Sequence, residues 1–332
     1  MISILLPFKN AEDTILACLA SVVAQSYPHF EVVAVNDHSS DNSINIIRHY
    51  PDSRINCIDN PGHGLIEALN HGIKACQYDY IARMDSDDLM RTNRLSEQLA
   101  HFQSTPDLQL SASQVSLFCN EPLKAGYLAY IAWQNNVLSD LEIKNQIFVE
   151  SPLAHPSVMF RKTTIVNLGG YREGDFPEDY DLWLRLFSKG CRMEKLPLTL
   201  LDWREAPIRE SRVNPRYRRE AFDQLRAKYL SQDCRLPNNR PINIWGAGRK
   251  TRLRAKWLIK TGINLTAWID IDPKKIGNTI NGIEVKSPNW LIESTSKPFV
   301  LIYVTNHGAR EDISAYLDSI GYHCGKDYLA VG

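Results

Sequence analysis

The chain has 332 residues, enough for one large or two ordinary domains, and its 44% apolar content is sufficient for a full core. Lys plus Arg and Asp plus Glu balance at 38 each, so no global field directs the protein to nucleic acid or to an anionic membrane. Seven cysteines, none in a CxxC pair, exclude a zinc site of that type and a disulfide frame, and predict a reduced, cytosolic chain.

The opening stretch MISILLPFKN has no basic n-region and breaks at Pro7, which argues against a signal peptide. No uncharged apolar run reaches the length of a membrane span, so a soluble, cytoplasmic protein is expected. ISILLPF reads as a buried strand, and Asn10 with Asp13 resembles a cap for a helix repeating Ile15, Leu19 and Val22. FEVVAVND is a second strand, INIIRHY a helix, RINCID a short strand, GLIEALNHGIKAC a helix and YDYIARM a fourth strand. NRLSEQLAHF follows as a helix, with Asp88 placed at the start of the helical stretch before it. This β-α alternation predicts a mostly parallel sheet flanked by helices.

LQLSASQVSLF and CRMEKLPLTLLDW read as strands, and PEDYDLWLRLFSKG as a helix ended by Gly190. WREAPIRESRVNPRYRRE is rich in arginine and precedes a helix, AFDQLRAKYL. A second β-α series begins at PINIWGAG, continues through TRLRAKWLIKTG and INLTAWIDID, and includes KPFVLIYVT. The expected domains are 1–205, an arginine-rich helical linker at 206–238, and a small Rossmann-like domain at 239–332.

Ligands of open parallel sheets bind beyond the carboxyl ends of the strands. Three such ends carry polar residues: Pro7 and Lys9, Asn36 and Asp37, and the cluster Asp85, Asp87 and Asp88. A hard divalent cation neutralises clustered carboxylates and fills its shell with phosphate oxygens, so Mg²⁺ or Mn²⁺ is the expected cofactor, with Asp87 as first ligand. Asp85 serves the metal through water or holds a ribose hydroxyl. Asp37 either accepts hydrogen bonds from a base or ribose, or closes a turn. In helical register Asp179 lies on the face of Leu182, Trp183 and Leu186, so it is a candidate base, next to Glu178, or an acid placed by the helix dipole. His155 before Pro156 reads as structural. The arginines from 204 to 219 hold an anion or form a solvated surface. Gly246 and Gly248 match two glycines of a dinucleotide fingerprint, Thr251 replaces the third, and Asp270 follows 22 residues after Gly248.

Taken together, ISILLPFKN, VVAVNDHSSDNS, NHGIKACQYDYIARMDSDD, HPSVMFRK, GGYREGDFPEDYDLWLRL and WREAPIRESR resemble the family 2 glycosyltransferases, over about residues 1 to 230. The resemblance implies a GT-A fold and transfer of a sugar from a nucleotide-sugar donor, usually UDP-linked, to an acceptor hydroxyl, with inversion. It implies nucleoside contacts from Pro7, Lys9 and Asp37, ribose, diphosphate and metal contacts from Asp85 and Asp87, and Asp179 as base, paired with Glu178. The acceptor expected is a surface polysaccharide or lipid-linked glycan, with peripheral membrane association and no nucleic acid partner. Lys9 stands where an aromatic is frequent, Leu69 where an arginine is, and no QxxRW follows, which argues against a processive synthase. The C-terminal IDIDPKKIGNTINGIEVKSP resembles the nucleotide-binding domain of sugar acyltransferases. The competing classes are a metal-dependent sugar nucleotidyltransferase, which would need a Gly-rich loop that LLPFKNAED lacks, and a non-catalytic nucleotide-sugar sensor.

Overall fold

Seven consecutive buried residues, Ile2–Phe8, form β1 near the middle of the first sheet of the computed structural model. The structure describes residues 1–119, 125–205, 212, 214–306 and 308–332, which fall into two units: 1–143 with 151–214, and 144–150 with 215–332.

In the first unit β1 is followed by α1 (Ile15–Val23), β2 (Phe30–Asn36), α2 (Ser43–Arg48), β3 (Ile55–Asp59), α3 (Leu65–Ala75) and β4 (Tyr80–Arg83). Next come β5 (Leu89–Met90), α4 (Arg94–Ser104), β6 (Leu108–Phe118), α5 (Ala125–Asn136), α6 (Asp140–Gln146, whose last three residues belong to the second unit), β7 (Met159–Arg161), α7 (Lys162–Asn167), α8 (Glu178–Ser188) and β8 (Arg192–Arg204). The eight strands run in the order β3-β2-β1-β4-β7-β6-β8-β5, with β1, β2, β3 and β4 parallel and β7 inserted antiparallel. The mixed sheet dominated by parallel strands and flanked by helices agrees with the expected fold class.

The central strands β1 and β2 are largely apolar and buried, because helices cover both of their faces. Ile15, Cys18, Leu19 and Val22 of α1 pack with Ile4, Leu6 and Val32 in one core. On α3, a side chain at Gly72 would meet Leu5 at 2.2 Å and Val35 at 2.9 Å, so only glycine allows this helix to lie so close to β1 and β2.

Two local expectations are corrected. Asn10 is not a helix cap: it sits at φ 49°, its side-chain oxygen accepts the Ser40 amide at 2.8 Å, and α1 starts five residues later. Asp88 does not open a helix either. It is buried in a turn before β5, and α4 begins only at Arg94. Leu89 and Met90 pair antiparallel with β8 instead, so a long-range strand contact overrides local helix propensity there.

The second unit contains α9 (Arg219–Leu230), β9 (Ile242–Trp245), α10 (Arg249–Ile259), β10 (Leu265–Ile269), β11 (Thr279–Ile280), β12 (Ile283–Lys286), α11 (Trp290–Glu293), β13 (Phe299–Ile302), α12 (Ala309–Ser319) and β14 (Tyr328–Ala330). Its sheet order is β11-β12-β10-β9-β13-β14, with every pair parallel except β11 with β12. Residues 215–238, read from sequence as linker, pack with this unit. Arg226 of α9 is buried, pairs with Asp223 at 2.8 Å and donates to the Val149 carbonyl at 3.0 Å, while Leu225, Tyr229 and Leu230 are buried. Much of the arginine-rich stretch, residues 206–211 and 213, lies outside the described residues. No helix among the described residues is long and apolar enough to cross a membrane.

Candidate active site

The parallel register places four strand ends side by side: Phe8 pairs with Asn36, Asn36 with Asp59, and Leu5 with Arg83. Pro7 is buried inside β1 opposite Val35, and Lys9 emerges one residue beyond the strand. Lys9 Nζ donates to Asp37 Oδ2 at 3.3 Å. The other oxygen, Asp37 Oδ1, accepts from Asn60 Nδ2 at 2.9 Å and from the Gly64 amide at 2.8 Å. Burial pushes the Asp37 carboxyl up, but the Asn60 amide, the Gly64 N–H and Lys9 outweigh it, so the group stays below its usual range. Beside it the rings of His38 and His63 stack at 4.3 Å. A charged acceptor at the lip of the sheet, next to an aromatic pair, is suited to a nucleoside.

The acidic loop follows β4. Asp85, Asp87 and Asp88 offer oxygens that lie within 4.8 Å of one another. The loop backbone is pinned from several sides: Cys18 Sγ donates to the Asp85 carbonyl at 3.3 Å, Thr14 Oγ1 to the Ser86 carbonyl at 3.1 Å, and Arg204 Nε to the Asp87 carbonyl at 2.9 Å. Asp88 Oδ1 accepts the Arg204 amide at 2.8 Å, so it ties the loop to the end of β8. Asp85 and Asp87 are half-buried, with Asp85 placed nearest a buried guanidinium.

That guanidinium belongs to Arg83, 2% exposed, which forms an ion pair with Asp85 Oδ1. Below it Arg94, fully buried, donates to the Arg83 carbonyl at 2.8 Å, to the Val158 carbonyl at 3.2 Å and to Gln98 Oε1 at 3.1 Å. Burial lowers the Arg94 pKa to about 9, with Asp88 opposing the shift. The crowded carboxylates therefore have counter-charges within the fold. The fold supplies two cations of its own beneath them, which sequence reasoning missed. The available signal was an arginine inside the apolar strand YIARM: a charge at such a position has to be paired. Arg83→Met removes the charge at similar volume. It should destabilise the metal-free protein by about 3 kcal/mol, the low end for a broken buried pair, because 26% of the Asp85 side chain stays exposed. Mn²⁺ should recover part of the loss. Thermal unfolding in EDTA against Mn²⁺ checks this, and an equal loss in both would reduce Arg83 to a packing residue.

Asp179 stands in the first turn of α8, where its Oδ1 accepts the Tyr180 amide at 2.7 Å. Burial, and then the neighbouring Glu178, push its carboxyl well above the usual range; the Tyr180 amide and Arg83 oppose this without cancelling it. Glu178 is 2% exposed and lies 3.9 Å from His155 Nδ1. His155 is buried, and its Nε2 is 2.8 Å from Tyr171 Oη. Burial and the Arg83 charge hold this imidazole neutral. The turn carrying Tyr171 is fixed by Asn70 of α3, whose amide donates to the Tyr171 carbonyl at 2.8 Å and accepts its N–H at 2.9 Å. Gly170 there adopts φ 68°, and a side chain would strike Asn70 at 2.3 Å. Arg185, paired with Asp181 at 2.7 Å, holds the same turn through the Leu168 and Gly170 carbonyls. The field of Arg83 reaches Asp85, Asp88, Tyr171, His155 and Asp179. Arg83 thus pairs directly with Asp85, and its charge is felt by the α8 acid as well. Chemically, clustered carboxylate oxygens can hold a hard cation, and a carboxyl with a raised pKa can exchange a proton closer to neutral pH than an ordinary one.

In the second unit Gly246 adopts φ 115° and its amide donates to the Ile269 carbonyl at 2.7 Å. Gly248 precedes α10. Asp270 Oδ2 accepts the Ala247 amide at 2.8 Å and Lys275 Nζ at 3.1 Å. Thr251, in place of the third glycine, is buried and lies 2.9 Å from where a Gly246 side chain would be. The three residues are brought together, with the carboxylate holding the turn.

Residues 3–166 match the family described as Glycosyl transferase family 2. The chain is 36% identical over 141 residues to an Escherichia coli UDP-Gal:alpha-D-GlcNAc-diphosphoundecaprenol beta-1,3-galactosyltransferase, covering 42% of this chain and 49% of that protein, about half its length. It is 30% identical over 192 residues to an uncharacterized glycosyltransferase of Haemophilus influenzae, covering 57% of this chain and 69% of the relative. Among solved structures, S. aureus TarS 1–349 in complex with UDP-GlcNAc superposes with a TM-score of 0.54 at 17% identity, over 70% of this chain and 72% of that one. At that identity the likeness concerns the fold.

Proposed function

Because the chain belongs to glycosyltransferase family 2, we propose that it transfers a sugar from a UDP-linked donor to a hydroxyl of a lipid-linked glycan on the route to a surface polysaccharide. The observation that supports this reading is the cluster of Asp85, Asp87 and Asp88 at the end of β4, with buried Arg83 paired to Asp85. Relatives support the acceptor class: the first acts, by its name, on a diphosphoundecaprenol-linked sugar.

Asp37 would accept hydrogen bonds from the uracil or ribose, with Lys9 and the wall of Pro7 beside it. Asp85 and Asp87 fit Mn²⁺ or Mg²⁺, since hard cations take carboxylate oxygens and Asp88 keeps the loop in place. Such an ion supplies charge neutralisation for the departing diphosphate. Asp179 would take the proton of the acceptor hydroxyl as that oxygen attacks the anomeric carbon. The bond from that carbon to the diphosphate oxygen breaks with its electron pair, and a single displacement of this kind inverts the centre. Glu178 beside Asp179 would keep its pKa raised, and His155 lies 3.9 Å from Glu178. The second unit, with Gly246, Gly248 and Asp270 at one sheet edge, would bind a nucleotide or nucleotide-sugar, as its resemblance to the acyltransferase domain suggests.

A base must be ionised to act. Since burial and Glu178 raise the Asp179 pKa, transfer should fall as pH drops through a value above the usual carboxylate range. The pH profile of kcat/KM checks this, and an acidic limb at an ordinary carboxylate value would argue against Asp179 as the base.

A further inference from the structure

Between residues 249 and 260 the chain carries Arg249, Lys250, Arg252, Arg254, Lys256 and Lys260 and no carboxylate, in a protein whose net charge is zero. This segment is α10 with the residue after it. Thr251, Ala255 and Leu258 form its buried face. On the opposite face Arg249, Leu253, Trp257 and Lys260 follow one another at spacings of three and four. Arg249, Lys250 and Lys260 are exposed, and Leu253 is 53% exposed, one of the few large apolar side chains that the described residues leave in water. Trp257 is half-buried beneath two ammonium groups, Lys256 and Lys260, each 4.5 Å from its ring. Lys256 also pairs with Glu220 at 3.4 Å, and Arg254 donates to the Gly332 carbonyl, so these two cations are used within the unit. Arg249, Lys250 and Lys260 form no ion pair or side-chain hydrogen bond among the described contacts, although Lys260 lies over Trp257.

We infer that the outer face of α10 is a docking surface for an anionic lipid bilayer, with Leu253 and Trp257 entering the headgroup layer and Arg249, Lys250 and Lys260 meeting lipid phosphates. Charge complementarity selects this occupant. A helix lying in the interface presents an apolar stripe, often with Trp, bordered by Lys and Arg. Each cation near an anionic surface contributes about 1 kcal/mol, which is roughly fivefold in partitioning. A nucleic acid would use the same cations but would gain nothing from an exposed leucine. The surface is independent of the donor chemistry, so its failure would leave the proposed transfer reaction standing.

The test is co-sedimentation with vesicles of phosphatidylcholine alone and of phosphatidylcholine mixed with phosphatidylglycerol. The whole chain should bind the mixed vesicles, bind the neutral ones far less, and be released by salt. Lys260→Gln should lower partitioning roughly fivefold, and Leu253→Ser should lower it again. Both changes are at exposed positions and should leave turnover of a soluble donor unchanged. Equal binding to both vesicle types, no binding to the mixed ones, or unchanged binding by the double variant would overturn the inference. So would tighter binding to duplex DNA at the same salt, which would reassign the face to nucleic acid. Lys250→Gln, at another exposed position of the same face, should also lower partitioning, so the assignment stays testable even if one substitution were to misfold.

Discussion

Asp179→Asn should lower the turnover number for sugar transfer by about 10²–10⁴ and leave donor affinity within a few-fold, since proton transfer by a placed side chain is worth that much. The amide keeps the shape of the carboxyl and can still accept the Tyr180 N–H, so α8 starts as before. What it cannot do is take a proton. The same substitution should make the protein more stable. The folded-state pKa of Asp179 is raised above its unfolded value by burial and by Glu178. For an acid shifted upward, stability is full below the unfolded pKa, falls as pH rises toward the folded one, and stays reduced above it. The asparagine variant lacks that loss, so its Tm should exceed that of the unsubstituted protein at neutral and alkaline pH. A slower yet more stable variant is the pattern of a site residue held against its electrostatic preference. Loss of activity together with loss of stability would make Asp179 a structural acid.

Asp87→Ala should remove the metal-dependent part of donor binding and lower transfer on the order of 10³-fold, because a cation at the diphosphate stabilises the departing charge by several kcal/mol. Thermal shifts with a UDP-sugar, with and without Mn²⁺, provide the readout, since a ligand that binds the folded state raises apparent stability by mass action. The unsubstituted protein should be stabilised more by the pair than by either alone. Asp87→Ala should show the donor-only shift whatever the metal. Asp88→Ala should behave differently: Asp88 is buried and accepts the Arg204 amide, so its loss should lower Tm in all conditions. If Asp87→Ala keeps the full Mn²⁺ effect, the ligand lies elsewhere in the loop.

The parts of the fold that could be read from the sequence are those set by unbroken apolar runs. β1, β2 and β4 are such runs, and their ends pointed to Asp37 and the acidic loop. The helix α8 was visible from Asp179, Leu182, Trp183 and Leu186 at helical spacing. The helix α5 was not, because AGYLAYIAWQNN buries only Ile131 and Gln134 and has no clean apolar stripe. Asp88 was misplaced because its role depends on Arg204, 116 residues away. For the same reason Asn70 could not be linked to Tyr171, 101 residues later, or Arg83 to Asp179. Local spacing thus shows which side chains line a strand end. It does not show which buried cation lies beneath them.

Release of nucleoside diphosphate by the purified chain, supplied with a UDP-sugar and a lipid-linked acceptor, tests the proposed reaction most directly. The expected result is release that requires Mn²⁺ or Mg²⁺, is accelerated by the acceptor and is abolished by EDTA. No release from any common UDP-, GDP- or dTDP-sugar, with metal and acceptor present, would contradict it.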